Sequence, residues 1–567
     1  MTQAERWATR LGLVLAMAGN AVGLGNFLRF PAQAAKNGGG AFMIPYVVAL
    51  ILMGLPLMWV EWTMGRYGGH FGHHSCPGIF QSMGRSRFWK YFGALSLWSC
   101  LVIAAYYLYV ESWCMVYCLN SLVYGFQGMN VDQVRGFYDW LTGQRDYELL
   151  AISGWGMFFF ALCVVVNIYI LSRGLAKGIE LTSKIGMPLL ILFGAVLAVR
   201  GLMINQELDP EAKASPFTGL NYVWEPKWNQ LGDASVWLAA AGQIFFTLSL
   251  GMGSIHCYAS YLREKDDVAL AGATTAFTNE FCEVILGGTI LIPIATAYLG
   301  LAGVQEYTQG GSGFGLGFFV FPTLFNKWGA FAPLAGFLWF GLLFFAAITS
   351  SLAMGQPIMA FLQQEYGYTR SRSALAFGGL VLVLAVPVAV LHQNSFFDEF
   401  DYWAGTVMLV VFALLETILF AWVFGMERGW NELNKGAELW IPKVFYYIIK
   451  YVTPLILILI LIAYVAEPQG GWHSVRAHNW TSWEFSSGSM IGKILHKDLD
   501  ERLHKALDEN QQKDEDKRVD PEKIRSFYAE LRWWRNVDRI TMVATFVFFA
   551  VLVYYAWRRR EIREAGI

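Results

Sequence analysis

The sequence predicts an all-α polytopic membrane protein with twelve transmembrane helices, and three observations support this fold class. Hydrophobic residues make up 56% of the 567 residues, whereas charged residues make up only 15%. A soluble chain of this length would divide into several domains and would need a more charged surface. The apolar residues are also grouped in stretches of about 20 or more, the length that a helix needs to cross a membrane. Finally, two of these stretches are interrupted by clusters of glycine.

Twelve stretches, numbered here as spans 1 to 12, meet the length and hydropathy expected of a membrane helix. They occupy residues 11–36, 41–65, 89–124, 153–171, 178–199, 235–262, 269–299, 333–362, 374–391, 400–425, 444–466 and 538–557. If the N-terminus is internal, the internal loops contain more lysine and arginine than the external loops. The even number of spans then places both termini in the cytoplasm. We expect a multi-pass protein in the lipid of a bacterial-type inner membrane.

The stretch between spans 11 and 12 differs from the other loops. Residues 467–537 begin with a Gly-, Trp- and Ser-rich segment and become highly charged from Lys493 to Arg535. Helix-forming residues predominate in the charged part. We therefore predict a core over 1–466, a helical extracytoplasmic insertion over 467–537, and a last helix with its cytoplasmic tail over 538–567. The insertion is either a solvated excursion or a docking site for a partner that the sequence does not identify.

Glycine clusters interrupt spans 1 and 6, at Gly19 to Gly25 and at Gly251 to Gly253. Each glycine inside a helix costs about 1 kcal/mol relative to alanine, so both spans are expected to unwind locally. Unwound backbone is tolerated in a membrane only where it is buried in protein or lines a cavity. Its free carbonyls can bind cations, and free N–H groups at a helix start can bind an anion. Breaks in spans 1 and 6 suit an inverted repeat of five plus five spans with a site between the repeats.

Several classes of function find no support in the sequence. The net charge is −1, so no basic face for nucleic acid is expected. No nucleophile–base order, metal-ligand histidine pair or phosphate loop indicates an enzyme. The histidines at 70, 73 and 74 lie close together in an inner loop, where a solvated loop is the simpler interpretation. A channel would lack the gates on both sides that are inferred below.

Several motifs resemble those of the neurotransmitter:sodium symporter family. They include GNAVGLGNFLRFP from Gly19 to Pro31, NGGGAF from Asn37 to Phe42, and IFFTLSLGMG, TNEFCEVILGG, AITSSLAMGQP and DEFDYWAG further along. The resemblance covers essentially all twelve spans but not the insertion at 467–537. It implies symport of sodium and an amino acid into the cell by alternating access. An amino acid receptor or sensor built on the same fold is the alternative.

The resemblance implies two sodium sites. The first would use Ala21, Asn26, Thr247 and Asn279, and the second would use Gly19, Val22, Ala346, Thr349 and Ser350. Every ligand would be an oxygen, which suits a hard cation. The last three ligands of the second site also lie on one face of a helix, at positions i, i+3 and i+4.

The resemblance also implies a substrate site between the two breaks. Its residues would be Ala21, Leu24, Gly25, Ile103, Tyr107, Phe246, Thr247, Ser249, Met252, Ser350 and Met354. The substrate carboxylate would be held by backbone N–H groups and the Tyr107 hydroxyl. Family members that carry monoamines have an aspartate at the position of Gly23, so glycine favours a substrate with its own carboxylate. The pocket contains no charge, which predicts a hydrophobic side chain, whether aliphatic, methionine or aromatic.

Intramembrane carboxylates are costly and invite a functional explanation. Glu283 matches the position where chloride-dependent members have a neutral residue, so we expect a carboxylate in place of chloride. Glu61 resembles the glutamate that hydrogen-bonds the unwound part of span 6. Arg29 and Asp401 resemble the outer gate pair.

The inner gate departs from the family pattern. Trp7 and Tyr261 are present, but the arginine and aspartate expected with them are replaced by Ala4 and Gln364. Two charged residues, Arg6 and Glu365, lie next to these positions and are candidates to substitute for them.

Overall fold

The all-α fold class is confirmed by a computed structural model. It describes residues 7–145, 147, 148, 150, 152–308, 313–391, 396–469, 472, 483–515 and 518–564. Within these residues there is no β-strand, and one isolated bridge pairs Pro468 with Phe485. Ala4 and Arg6 lie outside the described residues.

Ten helices of the described chain are long and apolar enough to cross a membrane. They contain predicted spans 2 to 5 and 7 to 12, and their bounds are Gly40–His70, Trp89–Leu122, Gly154–Ser172, Leu175–Leu202, Val268–Thr308, Gly315–Tyr366, Arg370–Val390, Phe396–Leu433, Val444–Ala466 and Pro521–Ile562. The eighth span is the part Ala332–Tyr366 of its helical stretch, because the backbone is not helical at Gly329. Spans 1 and 6 are interrupted helices, and a total of twelve crossings stays a prediction.

Span 1 consists of three helices, Arg10–Ala21, Leu24–Phe27 and Arg29–Lys36. Its first helix begins with the Thr9 side chain accepting a hydrogen bond from the Gly12 N–H. The backbone then leaves helical geometry at Val22 and is extended at Gly23, with φ −120° and ψ −168°. The carbonyls just before the break therefore lack partners within the helix.

Span 6 consists of Ala234–Leu248 and Ser254–Ala259, with an irregular segment between them. Ser249 lies in the left-handed region at φ +53°, and its hydroxyl donates a 2.9 Å hydrogen bond to the Asn20 carbonyl of the other break. Gly251 has φ +70°, and a Cβ there would lie 2.1 Å from the Leu409 carbonyl oxygen. Only glycine fits this position, which explains why the IFFTLSLGMG motif has a glycine at residue 251.

Spans 3 and 8 form the central packed pair of the molecule. The first helix of span 1 packs against spans 5, 7 and 8, and the second helix of span 6 packs against spans 2 and 8. The two breaks therefore meet deep in the protein, where unwound backbone is shielded from lipid.

Span 12 is longer than predicted. It belongs to one continuous helix of 44 residues, Pro521–Glu564, so the predicted boundary at 537/538 falls inside a helix. The second part of the insertion is thus an extension of span 12, and helix Lys497–Gln512 packs against it. The shorter helices of the described chain are Cys76–Met83, Val131–Thr142, Pro216–Trp224, Trp228–Gln230 and Met490–Ile494.

Candidate functional site

A small cavity lies between the two breaks. It is lined by Ala21, Gly23, Gly25, Asn26, Ile103, Tyr106, Tyr107, Phe246, Ser249, Met252, Ser350, Met354, Gly405 and Leu409. Nine of the eleven predicted substrate residues are in this lining, while Leu24 and Thr247 lie behind it. Sequence reasoning missed Tyr106 and the span 10 residues Gly405 and Leu409. The DEFDYWAG motif lies at the start of span 10, but nothing in the sequence indicates which face of this span meets the cavity.

The glycines of span 1 are needed for close packing around the cavity. A Cβ at Gly23 would lie 2.8 Å from the Tyr107 hydroxyl, and one at Gly25 would lie 2.3 Å from the Phe246 ring. The Leu24 N–H donates a 3.1 Å hydrogen bond to the Tyr107 hydroxyl. Because this oxygen already accepts one bond, its own proton can be donated to an anionic group in the cavity.

The four predicted residues of the first sodium site lie together beside the cavity. Asn26 donates hydrogen bonds to the Thr247 hydroxyl at 3.0 Å and to the Asn279 amide oxygen at 2.8 Å. One terminal atom of the Asn279 amide also lies 3.2 Å from the carbonyl oxygens of Ala21 and Thr247. The chain thus brings side-chain and backbone oxygens from spans 1, 6 and 7 into one cluster.

Glu283 is fully buried against this oxygen cluster. Gln243 donates a 2.7 Å hydrogen bond to one carboxyl oxygen, and the Thr247 hydroxyl bonds closely to the other. Asn26 lies 3.3 Å from the same second oxygen. The cluster therefore contains an acidic group within direct reach of its ligands.

The predicted second sodium site also comes together, between span 1 and span 8. The Ser350 hydroxyl lies 3.2 Å from the Gly19 carbonyl, 3.5 Å from that of Val22 and 3.1 Å from that of Ala346. Thr349 faces Gly19 so closely that a Cβ on the glycine would lie 2.9 Å from the threonine Cβ. Three carbonyl and two hydroxyl oxygens, which are hard ligands suited to sodium, lie together here.

The outer side of the cavity is closed differently from the predicted ion pair. The Arg29 guanidinium lies 4.4 Å above the Phe246 ring, while the Tyr106 hydroxyl donates a 2.8 Å hydrogen bond to Asp401. In the described part of the chain, no direct contact within 4.0 Å joins Arg29 to Asp401. Each charge is instead held by an aromatic side chain that lines the cavity.

The start of span 10 is anchored just outside this gate. Glu399 pairs with Arg535 at 3.1 Å and with Arg539 at 2.8 Å. Arg535 is fully buried and also binds Asp498 at 2.6 Å, so the insertion and span 12 both hold this end of span 10. No pattern in the sequence predicts that Glu399 and Asp498 pair with arginines of span 12.

Around Trp7, Tyr261 and His74, the inner side is closed by contacts between neutral groups. The Trp7 indole donates a 3.1 Å hydrogen bond to the Tyr258 carbonyl. Tyr261 stacks on His74 with the ring centroids 4.3 Å apart. Gln364 accepts a hydrogen bond from the His74 N–H at 3.1 Å. The inner-loop histidines are therefore part of the closure, and the interpretation as a solvated loop is wrong for His74.

Glu365 and Glu180 complete the inner side. Glu365 pairs with Arg560 of the last helix at 2.6 Å. Glu180, at the start of span 5, accepts bonds from the Ala8 N–H at 2.7 Å and the Thr9 hydroxyl at 2.9 Å. Sequence reasoning missed Glu180, which holds the segment that precedes span 1.

Comparisons with known proteins identify the family of this chain. The model of the sodium:neurotransmitter symporter family matches residues 4–132 and 146–494. An uncharacterized sodium-dependent transporter of Methanocaldococcus jannaschii is 29% identical over 462 residues, covering 80% of this chain and 89% of the relative. The human sodium-dependent neutral amino acid transporter SLC6A17 is 23% identical over 553 residues, and the match covers 81% of this chain and 73% of the human chain.

A solved structure supports the same assignment. The crystal structure of MhsT in complex with L-phenylalanine superposes with a TM-score of 0.69 and 26% sequence identity, covering 81% of this chain and 99% of the other. The family match covers most of the chain and includes both breaks and both oxygen clusters. This chain is a multi-pass membrane transporter that belongs to the sodium:neurotransmitter symporter family.

Proposed function

We propose that this chain is a sodium-coupled symporter that carries hydrophobic neutral amino acids into the cell by alternating access, without chloride. The observation that carries the proposal is the cavity between the two breaks, with an oxygen cluster on each side of span 1. In this proposal the cell membrane is a bacterial-type inner membrane, both termini are cytoplasmic, and spans 1–5 and 6–10 are inverted repeats.

The two oxygen clusters support two sodium sites. Each combines carbonyls freed by the break in span 1 with amide or hydroxyl oxygens from a neighbouring span. Sodium bound there would tie the break to spans 6 and 7 on one side and to span 8 on the other. Sodium can couple to transport only if it binds the outward and inward states with different affinities.

The lining of the cavity supports an amino acid substrate. MhsT binds L-phenylalanine, and SLC6A17 is named for neutral amino acids. The Tyr107 hydroxyl and the N–H groups of Leu24 and Gly25, just after the break, are the proposed donors to a carboxylate, and the Ser249 region offers carbonyls to an ammonium group. Met252 and Met354 offer a flexible apolar wall without charge, which suits hydrophobic side chains of different shapes.

The test is sodium-dependent binding and flux with the purified protein. Binding of tritiated leucine, methionine and tryptophan is measured in sodium chloride, sodium gluconate and choline chloride, and uptake is measured in proteoliposomes. We expect binding and uptake that need sodium but not chloride. Binding without uptake would favour the receptor alternative, and binding in choline would contradict sodium coupling.

Three variants sharpen this test. Asn26→Ala and Thr349→Ala each remove one oxygen from a different cluster, so each should weaken binding at least tenfold, about 1.4 kcal/mol. Thr308→Ala is the matched control, because within the described residues that buried hydroxyl bonds to carbonyls of its own helix alone. Glu283→Ser removes the buried carboxylate, and added chloride should then restore binding. A variant that binds equally well without chloride would contradict the role of Glu283.

A further inference from the structure

A groove separate from the substrate cavity lies between spans 3, 10 and 12. Its volume is about 420 Å³, and its walls include Trp98 of span 3, Trp403 of span 10, and Met542 and Val543 of span 12. Ile494 of the insertion also contributes to the lining. Packed helices leave few spaces much larger than a water molecule. A space of this size therefore calls for an occupant.

The walls of the groove favour hydrocarbon over a polar ligand. Eight of the nine residues that line it are apolar. The Trp98 indole donates its N–H to the Met542 carbonyl at 2.8 Å, and the Trp403 indole donates to Glu399 at 2.8 Å. Because both indole N–H groups are used within the protein, the two rings present hydrocarbon to the groove. A polar ligand would lose its bonds to water here without replacing them.

The size and place of the groove fit one acyl chain of a membrane lipid. A water molecule takes up about 30 Å³ in the liquid, and a methylene group is of similar size, so the space holds a chain of about fourteen carbons. Val543 at its rim is 63% exposed, so the groove opens to the outside of the helix bundle. In a membrane transporter the outside of the apolar spans meets lipid.

Arg539 is the one charged residue of the lining, and it lies beside the insertion. Its Nε and Nη2 atoms donate to Glu399, and Nη2 also donates to the Lys493 carbonyl. Within the described residues, Nη1 makes one long bond of 3.5 Å to the Ile494 carbonyl, which leaves an N–H for a further acceptor. The neighbouring Asp538 accepts no hydrogen bond in the described chain and so does not use this donor. A phosphate oxygen is a strong acceptor for an arginine.

We propose that this groove binds one phospholipid of the surrounding bilayer, with an acyl chain against Trp98 and Trp403 and the phosphate at Arg539. The bound lipid would join spans 3, 10 and 12 to the insertion. Gly405, which lines the substrate cavity, lies two residues after Trp403, so the lipid would also support span 10 behind this cavity. Binding of the lipid is independent of which substrate the protein carries.

Native mass spectrometry of the full-length protein, stripped of lipid in detergent, measures this binding. The protein is titrated with dioleoylphosphatidylglycerol, dioleoylphosphatidylcholine and dioleoylglycerol, the last of which has the same chains but no phosphate. We expect one molecule of either phospholipid to bind. Dioleoylglycerol should bind at least tenfold more weakly, because it offers no phosphate to Arg539. Equal affinity for dioleoylglycerol would overturn the proposal.

Two matched variants test whether the lipid lies in the groove. Val543→Trp fills the groove from its exposed rim, and Val547→Trp places the same ring one turn further along the helix, at a residue that is 51% exposed and outside the lining. Because both valines are more than half exposed, both variants should fold, which their melting temperatures check. We expect Val543→Trp to weaken phospholipid binding at least tenfold and Val547→Trp to leave it unchanged. Equal binding by the two variants would overturn the groove as the site.

Imaging of the wild type gives an answer that needs no variant. Electron cryomicroscopy is carried out on the full-length protein in nanodiscs of dioleoylphosphatidylglycerol. We expect continuous density along the groove that ends in a phosphate at Arg539. An empty groove, or one filled by side chains of a second copy of the chain, would overturn the proposal.

Discussion

The two sides of the cavity are closed by different chemistry. On the outer side, Glu399 lies in a network of buried charges with Arg535 and Arg539, two residues before Asp401, the predicted outer gate residue. On the inner side, the Trp7 indole bonds to a backbone carbonyl and Tyr261 stacks on His74. A charged network needs well-placed partners, whereas neutral contacts can separate without leaving buried charges.

This difference explains two departures from the family pattern. The insertion adds Asp498 to the outer network, so the outer anchor includes a segment that the resemblance did not cover. On the inner side, Ala4 and Gln364 replace a charged pair, and Glu180 holds the N-terminal segment instead. The outer anchor thus rests on a buried ionic network, whereas on the inner side neutral contacts lie beside the ion pairs Glu365–Arg560 and Glu180–Lys184.

The largest expected effect comes from removing the charge at the centre of the outer network. Arg535→Met leaves Asp498 and Glu399 buried without this partner, which should destabilise the protein by about 3–5 kcal/mol. The measurement is thermal unfolding in detergent, followed by tryptophan fluorescence. Arg525→Met is the control, because its pair with Glu522 is exposed and should change the melting temperature very little. Equal melting temperatures for the two variants would contradict the claim that the buried ionic network stabilises the outer side.

The outer network should also be sensitive to acid. Burial acts to raise the pKa of Asp498, but hydrogen bonding to Arg535 and the charges of Lys493 and Arg535 outweigh it and lower the pKa. A carboxyl group with a lowered pKa stabilises the fold above its unfolded pKa of about 3.9. We therefore expect this contribution to be lost as the pH falls below about 4, and to be absent in Asp498→Asn.

A smaller effect is expected from the hydrogen bonds of the inner side. Glu180→Gln keeps one acceptor oxygen but loses the charge that strengthens the bonds from Ala8 and Thr9. A loss of about 1.5 kcal/mol should raise the open population of this segment roughly tenfold. Hydrogen exchange of the backbone amides of residues 8–21 measures this open population. Lys177→Met is the control, since this lysine three residues earlier is exposed and unchanged exchange is expected.

The sequence was sufficient for the elements that depend on composition and local spacing. Hydropathy located the apolar stretches, and glycine clusters located the two interrupted helices. The predicted oxygen ligands also meet in space, which followed from the resemblance rather than from spacing alone. The boundary at 537/538 was wrong because the charged residues before it continue as a helix into the apolar span, and charge alone does not end a helix.

Contacts between distant segments could not be predicted in the same way. Glu399 and Arg535 are 136 positions apart, and Glu180 is more than 170 positions from Ala8. No periodicity connects such residues, and each would be read as an ordinary surface or interfacial charge. The histidines at 73 and 74 were assigned to a solvated loop because the packing of that loop on Gln364 is invisible in the sequence.

The histidines of the inner loop provide a test that uses pH. Burial lowers the pKa of both His73 and His74 to about 4. Because the unfolded chain binds these protons near pH 6.5, stability of the inner closure should decline as the pH falls from about 6.5 toward 4. Hydrogen exchange of residues 71–75 should accelerate over this range. His74→Phe keeps the ring on Tyr261 without a titrating group, so a decline of the same size in this variant would contradict the assignment.

The smallest expected effect concerns the stacking of Arg29 on Phe246, which sharpens the comparison at the outer gate. Arg29→Lys keeps the positive charge near Asp401 but loses the flat guanidinium that lies 4.4 Å above the ring. A cation–π contact in a partly wet site is worth about 0.5–1 kcal/mol, so bound amino acid should dissociate about two- to fivefold faster. If charge alone closed the outer side, the lysine variant would release substrate at the wild-type rate. Faster release would show that the Phe246 ring and the Arg29 guanidinium close the outer side together. The ion pairs of Glu399 would then support span 10 outside this contact.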